Sequence, residues 1–108
     1  MTAEAAAAAF TRVVRASELA NNSSVAVEVN GKSILVWKSQ EKIGAVINKC
    51  SHADEKLECG RIKNGWIACP VHGARFVLET GKVLNHPATK DIETFPVRVV
   101  DDWIEVEA

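Results

Sequence analysis

The chain has no tyrosine, only three cysteines and three prolines in 108 residues, and 6% of its residues are aromatic. Three cysteines cannot form the disulfide network that stabilises small secreted domains, so we expect the fold to rest on an ordinary hydrophobic core. Charge is balanced as well, because the formal net charge is -1 at pH 7. Without an excess of basic residues the chain lacks the electrostatic field that attracts nucleic acid or an anionic membrane, and we expect neither partner.

The first nine residues contain no lysine or arginine, and Glu4 interrupts their short alanine run. Export signals need a basic start followed by a long apolar segment, so we expect the protein to stay in the cytoplasm. Alanine favours helix, but a segment this short cannot nucleate one by itself. We therefore predict a flexible tail at residues 1–9 and one domain at residues 10–108, a size that buries a single core.

Two short fragments each combine one cysteine with one histidine: Cys50-Ser51-His52 and Cys69-Pro70-Val71-His72. A gap of one or two residues lets a single tight turn direct both side chains of a fragment to one point. The sixteen residues between the fragments are enough for a hairpin that brings the two turns face to face. The spacing therefore predicts a metal site with two thiolate and two imidazole ligands.

The ligand types suit two metal groups, namely one tetrahedral zinc ion or a 2Fe-2S cluster in which two histidines replace two cysteines on one iron. Zinc fingers usually keep their cysteines together in one pair and their histidines in another. In this chain each pair is mixed, so that each loop can give one ligand to each iron. The order of the ligands favours the iron-sulfur cluster, with a structural zinc module as the alternative.

After Phe10 the chain consists mainly of short β-branched runs that are separated by turn residues. Asn30-Gly31 and Asn64-Gly65 favour type I′ hairpin turns, and Thr80-Gly81 and Asp101-Asp102 mark two further hairpins. The predicted strands are residues 25–29, 33–37, 42–48, 61–63, 66–69, 76–78, 82–84, 97–100 and 103–106. A helical turn is indicated only at residues 16–20, with Ser17 as its cap. The pattern predicts an all-β domain.

With these motifs in this order, residues 50–95 resemble the Rieske family. The second loop at residues 69–76, Thr80-Gly81-Lys82 and Pro87-Ala88-Thr89 are similar to the small Rieske ferredoxins that serve bacterial aromatic-ring dioxygenases. The resemblance implies a Rieske fold, in which an antiparallel β-sandwich-like base carries a small cluster-binding subdomain of two loops. That subdomain would comprise about residues 49–88.

The resemblance also implies a role for each ligand. Cys50 and Cys69 would hold a buried iron, and His52 and His72 would hold the outer iron. Thiolates stabilise the ferric state of the inner iron, so an incoming electron should settle on the histidine-bound iron. We expect that end of the molecule to face the redox partner.

The surroundings of the motif indicate a low reduction potential. Ala74 occupies a position where high-potential relatives have a serine, and the chain has no tyrosine to donate a hydrogen bond to a ligand sulfur. We expect a potential near the bottom of the Rieske range, about -150 mV. Gly73 should let the second loop pass close to the cluster without a Cβ clash, and Pro87 should stiffen a loop that covers it.

Rieske proteins of respiratory complexes carry two additional cysteines that bridge the ligand loops. Glu55 and Val71 occupy those positions here, so no such disulfide is expected. Cys59 is then left as a loop thiol, which suits a reducing compartment. The first loop also carries an acidic group, Asp54, Glu55 and Glu58 beside Lys56. An acidic rim at the cluster would favour weak, fast encounters with basic partner surfaces.

These observations predict a soluble, monomeric one-electron carrier rather than an enzyme. The resemblance implies that it takes electrons from a flavin-dependent ferredoxin reductase and passes them to a terminal Rieske oxygenase. The chain has no second metal motif and no room for an oxygenase domain. The alternatives are the small Rieske-like subunit of an assimilatory nitrite reductase and the structural zinc module.

Overall fold

The computed structural model describes residues 10–51, 55–71, 73–85 and 90–108. In this part of the chain ten β-strands and one short 3-10 helix follow one another. The strands are β1 Thr11–Arg15, β2 Ser23–Val29, β3 Lys32–Ser39, β4 Lys42–Ile47, β5 Arg61–Lys63, β6 Trp66–Ala68, β7 Arg75–Val77, β8 Thr94–Phe95, β9 Val97–Val100 and β10 Trp103–Val106. The 3-10 helix is Ala16–Glu18, and no described helix has the length and apolar character needed to cross a membrane. The all-β prediction is confirmed.

The strands form three antiparallel sheets with the orders β1-β10-β9, β2-β3-β4-β8 and β5-β6-β7. Three of the predicted hairpin turns use left-handed backbone at both central positions. The φ angles are 51° and 80° at Asn30-Gly31, 49° and 84° at Asn64-Gly65, and 51° and 65° at Asp101-Asp102. Positive φ at both positions is what a type I′ turn requires, so the type I′ prediction is confirmed at both Asn-Gly pairs.

The sequence pattern missed β1 and β8. A bulge between Arg12 and Val14 interrupts the alternation of β1, and β8 has only two residues, too few to show a period. The strand predicted at residues 82–84 is wrong, because only an isolated bridge between Phe76 and Val83 forms there. The cap predicted at Ser17 is also wrong. The N-cap residue is Arg15 without a side-chain cap, and Ser17 donates its hydroxyl hydrogen to Asp102 at 2.6 Å.

Strand β3 separates two hydrophobic cores. Its side chains alternate, so Ile34 and Val36 pack into a core between the sheets that contain β2 and β10. Leu35 and Trp37 face the other way, into a second core with the β5-β6-β7 sheet, and both Cys50 and Cys69 belong to that core. The cysteines are therefore packed against the same strand that supports the base of the domain. The division of the chain into a tail and one domain stays a prediction.

The outer face of the β1-β10-β9 sheet contains a nearly buried carboxylate. Glu105 on β10 is 6% exposed, and it accepts a hydrogen bond from Arg98 Nε at 2.6 Å. Arg12 Nε lies 3.5 Å from the other carboxylate oxygen. The hydrogen bond from Arg98 lowers the pKa of Glu105 below its ordinary value of 4.5, although partial desolvation acts in the opposite direction. Glu105 on β10 thus connects Arg12 on β1 with Arg98 on β9, and these contacts stabilise the sheet.

Candidate metal centre

Two buried cysteines form the described part of the predicted site. Cys50 follows β4 and is 0% exposed, and Cys69 follows β6 and is 2% exposed. Both belong to one packed cluster of buried side chains, which also contains Leu57 and Ala74. No disulfide bond joins the cysteines of the chain, all of which lie in the described residues. Cys59, by contrast, is exposed.

The two cysteine-bearing loops are closed by the same backbone interaction. The N–H of Cys50 donates to the carbonyl oxygen of Glu55 at 2.8 Å, and the N–H of Cys69 donates to the carbonyl oxygen of Ala74 at 2.7 Å. Each acceptor lies five residues after its cysteine. The second loop has one additional bond, from the N–H of Gly73 to the carbonyl oxygen of Cys69 at 2.9 Å. Two tight turns of equivalent closure therefore present the two thiols.

Both predicted histidine ligands, His52 and His72, lie outside the described residues, as do Asp54, Pro87 and His86. Within residues 10–51, 55–71, 73–85 and 90–108 no three His, Cys, Asp or Glu side chains come together as a metal site. The described contribution to the site is thus two thiols, and the histidine ligands stay a prediction.

The chemistry of these donors fits a Rieske cluster. A Rieske cluster needs two thiolates on its inner iron, and shielding from water is typical of that iron. Cys50 and Cys69 provide a buried pair of thiols on two loops, and in the sequence a histidine follows the first by two positions and the second by three. The residues present therefore fit the group that the sequence motif predicts.

Gly73 adopts a backbone conformation that favours glycine, and its predicted close approach to the cluster stays a prediction. Its φ angle is 75°, a left-handed conformation that L side chains rarely adopt. An ideal Cβ at Gly73 has no described protein atom within 4 Å. The glycine thus supplies backbone freedom at the end of the second loop, and crowding by the protein does not explain it.

The predicted acidic rim is only partly present. Glu58 is half-buried, and its carboxylate accepts a hydrogen bond from Asn48 Nδ2 at 2.8 Å, so this acid is engaged within the protein. Glu55 is half-buried, and Asp54 lies outside the described residues. Of the described acids of the first loop, Glu58 therefore bonds to Asn48 within the protein, and Glu55 is partly accessible to solvent.

Sequence reasoning missed two asparagines that contact the loops. Asn48 accepts hydrogen bonds from the N–H groups of both Leu57 and Glu58 at 2.9 Å. Asn85 accepts a bond from the N–H of Arg75 at 2.8 Å, just after the second loop. One sequence signal could have indicated the role of Asn48. It is a polar residue at the end of an apolar strand, two positions before the predicted ligand Cys50. The strand pattern predicts Asn48 as the last residue of the strand at 42–48, whereas β4 ends at Ile47.

Two apolar side chains near the second loop are exposed to water. Val71 lies inside the loop and is 56% exposed, and Leu84 is 48% exposed. The N–H of Leu84 donates to the carbonyl oxygen of Arg75 at 2.8 Å, which ties it to the strand that follows the loop. Val99 and Val100 on β9 are also exposed, so exposed apolar side chains are not confined to this loop.

Comparison with known proteins adds a consistent set of similarities. The model of a family described as Rieske [2Fe-2S] domain matches residues 9–96. The ferredoxin component of the naphthalene 1,2-dioxygenase/salicylate 5-hydroxylase systems of a Ralstonia species is 41% identical over 75 residues, which are 69% of this chain and 72% of that protein. The naphthalene 1,2-dioxygenase ferredoxin component of Pseudomonas putida is 33% identical over 90 residues, 83% of this chain and 86% of that protein.

Two solved structures are similar over nearly the whole chain. The ferredoxin of carbazole 1,9a-dioxygenase from Nocardioides aromaticivorans IC177 superposes with a TM-score of 0.87 at 28% identity, covering 92% of this chain and 97% of that one. A chain from a complex of reduced oxygenase and oxidized ferredoxin in carbazole 1,9a-dioxygenase has a TM-score of 0.86 at 25% identity, with coverages of 91% and 92%.

Proposed function

The chain belongs to the Rieske [2Fe-2S] domain family, and we propose that one cysteine and one histidine from each loop hold its 2Fe-2S cluster. The four proposed ligands are Cys50, His52, Cys69 and His72. The burial of both cysteines in one core, on loops with the same backbone closure, is the observation that supports this ligand set. His52 and His72 follow from their spacing to these cysteines in the sequence.

The protein is an electron-transfer component of an aromatic-ring dioxygenase system, and it is not an enzyme in its own right. A bound Rieske cluster takes up one electron and releases it again. The protein's own residues would exclude water from the cysteine side, through the packing of Leu57 and Ala74 around the two thiols. They would leave the histidine side near the surface, where an electron can enter and leave.

The terminal oxygenase of such a system is the electron acceptor, because relatives of this chain are named as its ferredoxin components and one is found in a complex with it. We infer that a flavin-dependent ferredoxin reductase is the donor, and that the protein works as a cytoplasmic monomer. The exposed thiol of Cys59 supports a reducing compartment, since an oxidising one would favour its cross-linking.

We propose that the partners dock on the end of the molecule that carries the ligand loops. Val71 and Leu84 would provide exposed apolar contacts, and Asp54 and Glu55 would provide negative charge. A small contact surface with this mixture favours complexes that form and dissociate fast, as a shuttle between two enzymes requires.

The test is reconstitution of electron transfer with defined partners. Purified protein would be mixed with a ferredoxin reductase, NADH and a terminal oxygenase, and product formation would be followed with and without the chain. We expect turnover to require the wild-type protein and to be lost in His72→Ala, with Cys59→Ser as the control that keeps it. Equal product formation with and without the protein would contradict the proposal. So would co-purification of the protein with a sirohaem subunit of nitrite reductase.

A further inference from the structure

Asn48 is a buried polar residue at the point where the base of the domain leads into the first cysteine loop. It follows β4 directly, two residues before Cys50, and it is 3% exposed. A buried amide loses its hydrogen bonds to water, so it stabilises a fold only if the protein replaces them. Among the described residues only Ser39 and Glu105 are other polar side chains with comparable burial.

Every hydrogen-bonding group of the Asn48 side chain is engaged. Its Oδ1 accepts bonds from two consecutive backbone N–H groups, those of Leu57 and Glu58, both at 2.9 Å. Its Nδ2 donates to Ser33 Oγ at 3.0 Å and to Glu58 Oε1 at 2.8 Å. The backbone N–H of Asn48 also donates to the carbonyl oxygen of Ser33 at 3.0 Å. One side chain thus joins the start of β3 to the segment that returns from the first loop.

Contacts in space connect the segment held by Asn48 to the second cysteine, which follows β5 and β6 in the chain. Leu57 is 0% exposed and packs in the same cluster as Cys50 and Cys69. Its carbonyl oxygen accepts a bond from the N–H of Gly60 at 2.8 Å. Gly60 lies so close to the carbonyl oxygen of Ala68 that a Cβ would collide with it, and Ala68 precedes Cys69. A continuous set of contacts therefore links Asn48 to the residue next to the second thiol.

We propose that Asn48 is a positioning residue of the metal centre, which holds the return of the first loop on β3 and thereby sets the separation of the two cysteine loops. The inference rests on the proposed function, because it concerns the ligand geometry of that same site. Loss of these bonds would leave the buried N–H of Leu57 and the part-buried N–H of Glu58 without their acceptor and would allow Leu57 to move. The ligands would then surround the cluster in more than one arrangement.

The pattern of donors and acceptors explains why the residue is an asparagine. Its oxygen serves two N–H groups, while its nitrogen faces a carboxylate and a hydroxyl. An aspartate would keep the first interaction but would place a second carboxylate against Glu58. The combination of Asn48→Asp with Glu58→Gln reverses the direction of that one hydrogen bond and restores a donor opposite an acceptor.

The experiment compares the holoprotein of the wild type with Asn48→Ala, Asn48→Asp, and Asn48→Asp combined with Glu58→Gln. Val106→Ala is the matched control, since Val106 is 0% exposed in the other core and its truncation lowers stability without contact to the loops. Three quantities are measured: the rate of loss of visible absorbance, the EPR spectrum and midpoint potential of the reduced cluster, and hydrogen exchange of the peptide at residues 55–60.

We expect Asn48→Ala to lose its cluster ~10-fold faster, which corresponds to about 1.4 kcal/mol, and to show altered g values and a shifted midpoint. Exchange at residues 55–60 should accelerate, and the double variant should recover both spectrum and exchange relative to Asn48→Asp.

Unchanged g values and midpoint in every Asn48 variant, with only the general stability loss of Val106→Ala, would overturn the inference. A wild-type protein without a 2Fe-2S cluster would overturn the proposed function and this inference with it. If Asn48→Ala does not fold, failure of Glu58→Gln to rescue Asn48→Asp decides against the inference.

Discussion

The backbone N–H of Cys69 donates a hydrogen bond to the carbonyl oxygen of Ala74 at 2.7 Å, and both residues lie in one buried core. The methyl group of Ala74 is therefore held near a proposed cluster ligand, at 0% exposure. Ala74 is thus a buried neighbour of a proposed ligand, and we use it to test whether an added hydroxyl group reaches the metal centre.

We predict that Ala74→Ser raises the midpoint potential by tens of millivolts, because a neutral hydrogen bond of about 1 kcal/mol would stabilise the reduced state. Protein-film voltammetry measures the shift. Ala45→Ser introduces the same hydroxyl in the other core and should leave the potential unchanged. An equal midpoint for Ala74→Ser and wild type, with the cluster intact, would mean that the hydroxyl does not reach the sulfur atoms.

The ligand set predicts a definite metal content. Purified protein should contain two irons and two acid-labile sulfides per chain, as a 2Fe-2S cluster requires. His52→Cys should retain iron and lower the midpoint potential, because a thiolate adds negative charge that imidazole does not carry. His86→Ala, which alters the third histidine of the chain, should change neither iron content nor potential. One zinc per chain without sulfide would refute the ligand assignment, and so would a rise in potential for His52→Cys.

The docking proposal predicts a charge effect at the first loop. Reversing Asp54 and Glu55 to lysine should slow reduction of the oxygenase and weaken its dependence on salt, because attraction to a basic partner is lost. Stopped-flow transfer rates at several ionic strengths measure this. Glu18→Lys reverses one charge on the exposed 3-10 helix of the base and serves as the control for each of the two single reversals, Asp54→Lys and Glu55→Lys. Rates that respond identically to a single reversal in the loop and to Glu18→Lys would exclude an acidic docking rim. Glu58 is left unchanged, since its carboxylate holds Asn48.

The carboxylate of Glu105 predicts a pH-dependent contribution to stability. Its pKa is lowered by the hydrogen bond from Arg98, with Arg12 adding to the effect. A group whose folded-state pKa is depressed stabilises the protein above its unfolded-state value and loses that contribution as pH falls. Glu105→Gln should therefore be less stable than wild type at neutral pH, and the difference should shrink below the ordinary value of 4.5. Denaturant unfolding at several pH values measures it, and a difference that is constant with pH would contradict the prediction.

Two glycines in left-handed backbone allow strain and crowding to be separated. Gly31 has φ +80° and open space around an ideal Cβ, whereas a Cβ at Gly81, with φ +77°, would collide with the carbonyl oxygen of Ile92. Gly31→Ala should cost about 1–2 kcal/mol of unfolding free energy, the usual penalty of left-handed backbone. Gly81→Ala should cost more, because the segment around Ile92 must also move. Equal losses of unfolding free energy in the two variants would show that the segment around Ile92 moves at little cost.

Local patterns predicted much of what is local in this protein. The Asn-Gly pairs predicted two turns correctly, since only residues that tolerate positive φ fit those positions. The spacing of Cys50 from His52 and of Cys69 from His72 predicts two tight ligand turns. Each cysteine begins a loop that a backbone hydrogen bond closes, and the histidine ligands stay a prediction. These features depend on residues within a few positions of one another, so they can be read from the chain itself.

The sequence by itself determined the all-β character, the two Asn-Gly turns and the place of the two cysteines at the start of loops, because each depends on neighbouring residues. Only the tertiary structure decided that Glu58 points to Asn48 instead of a partner, and that β8 completes the sheet of β4. The hydrogen bonds of Asn48 join it to Ser33, fifteen residues earlier, and to Leu57, nine residues later. Such long-range contacts produce no periodic pattern in the sequence. A buried polar residue can join separate segments only when the tertiary fold brings its hydrogen-bond partners together.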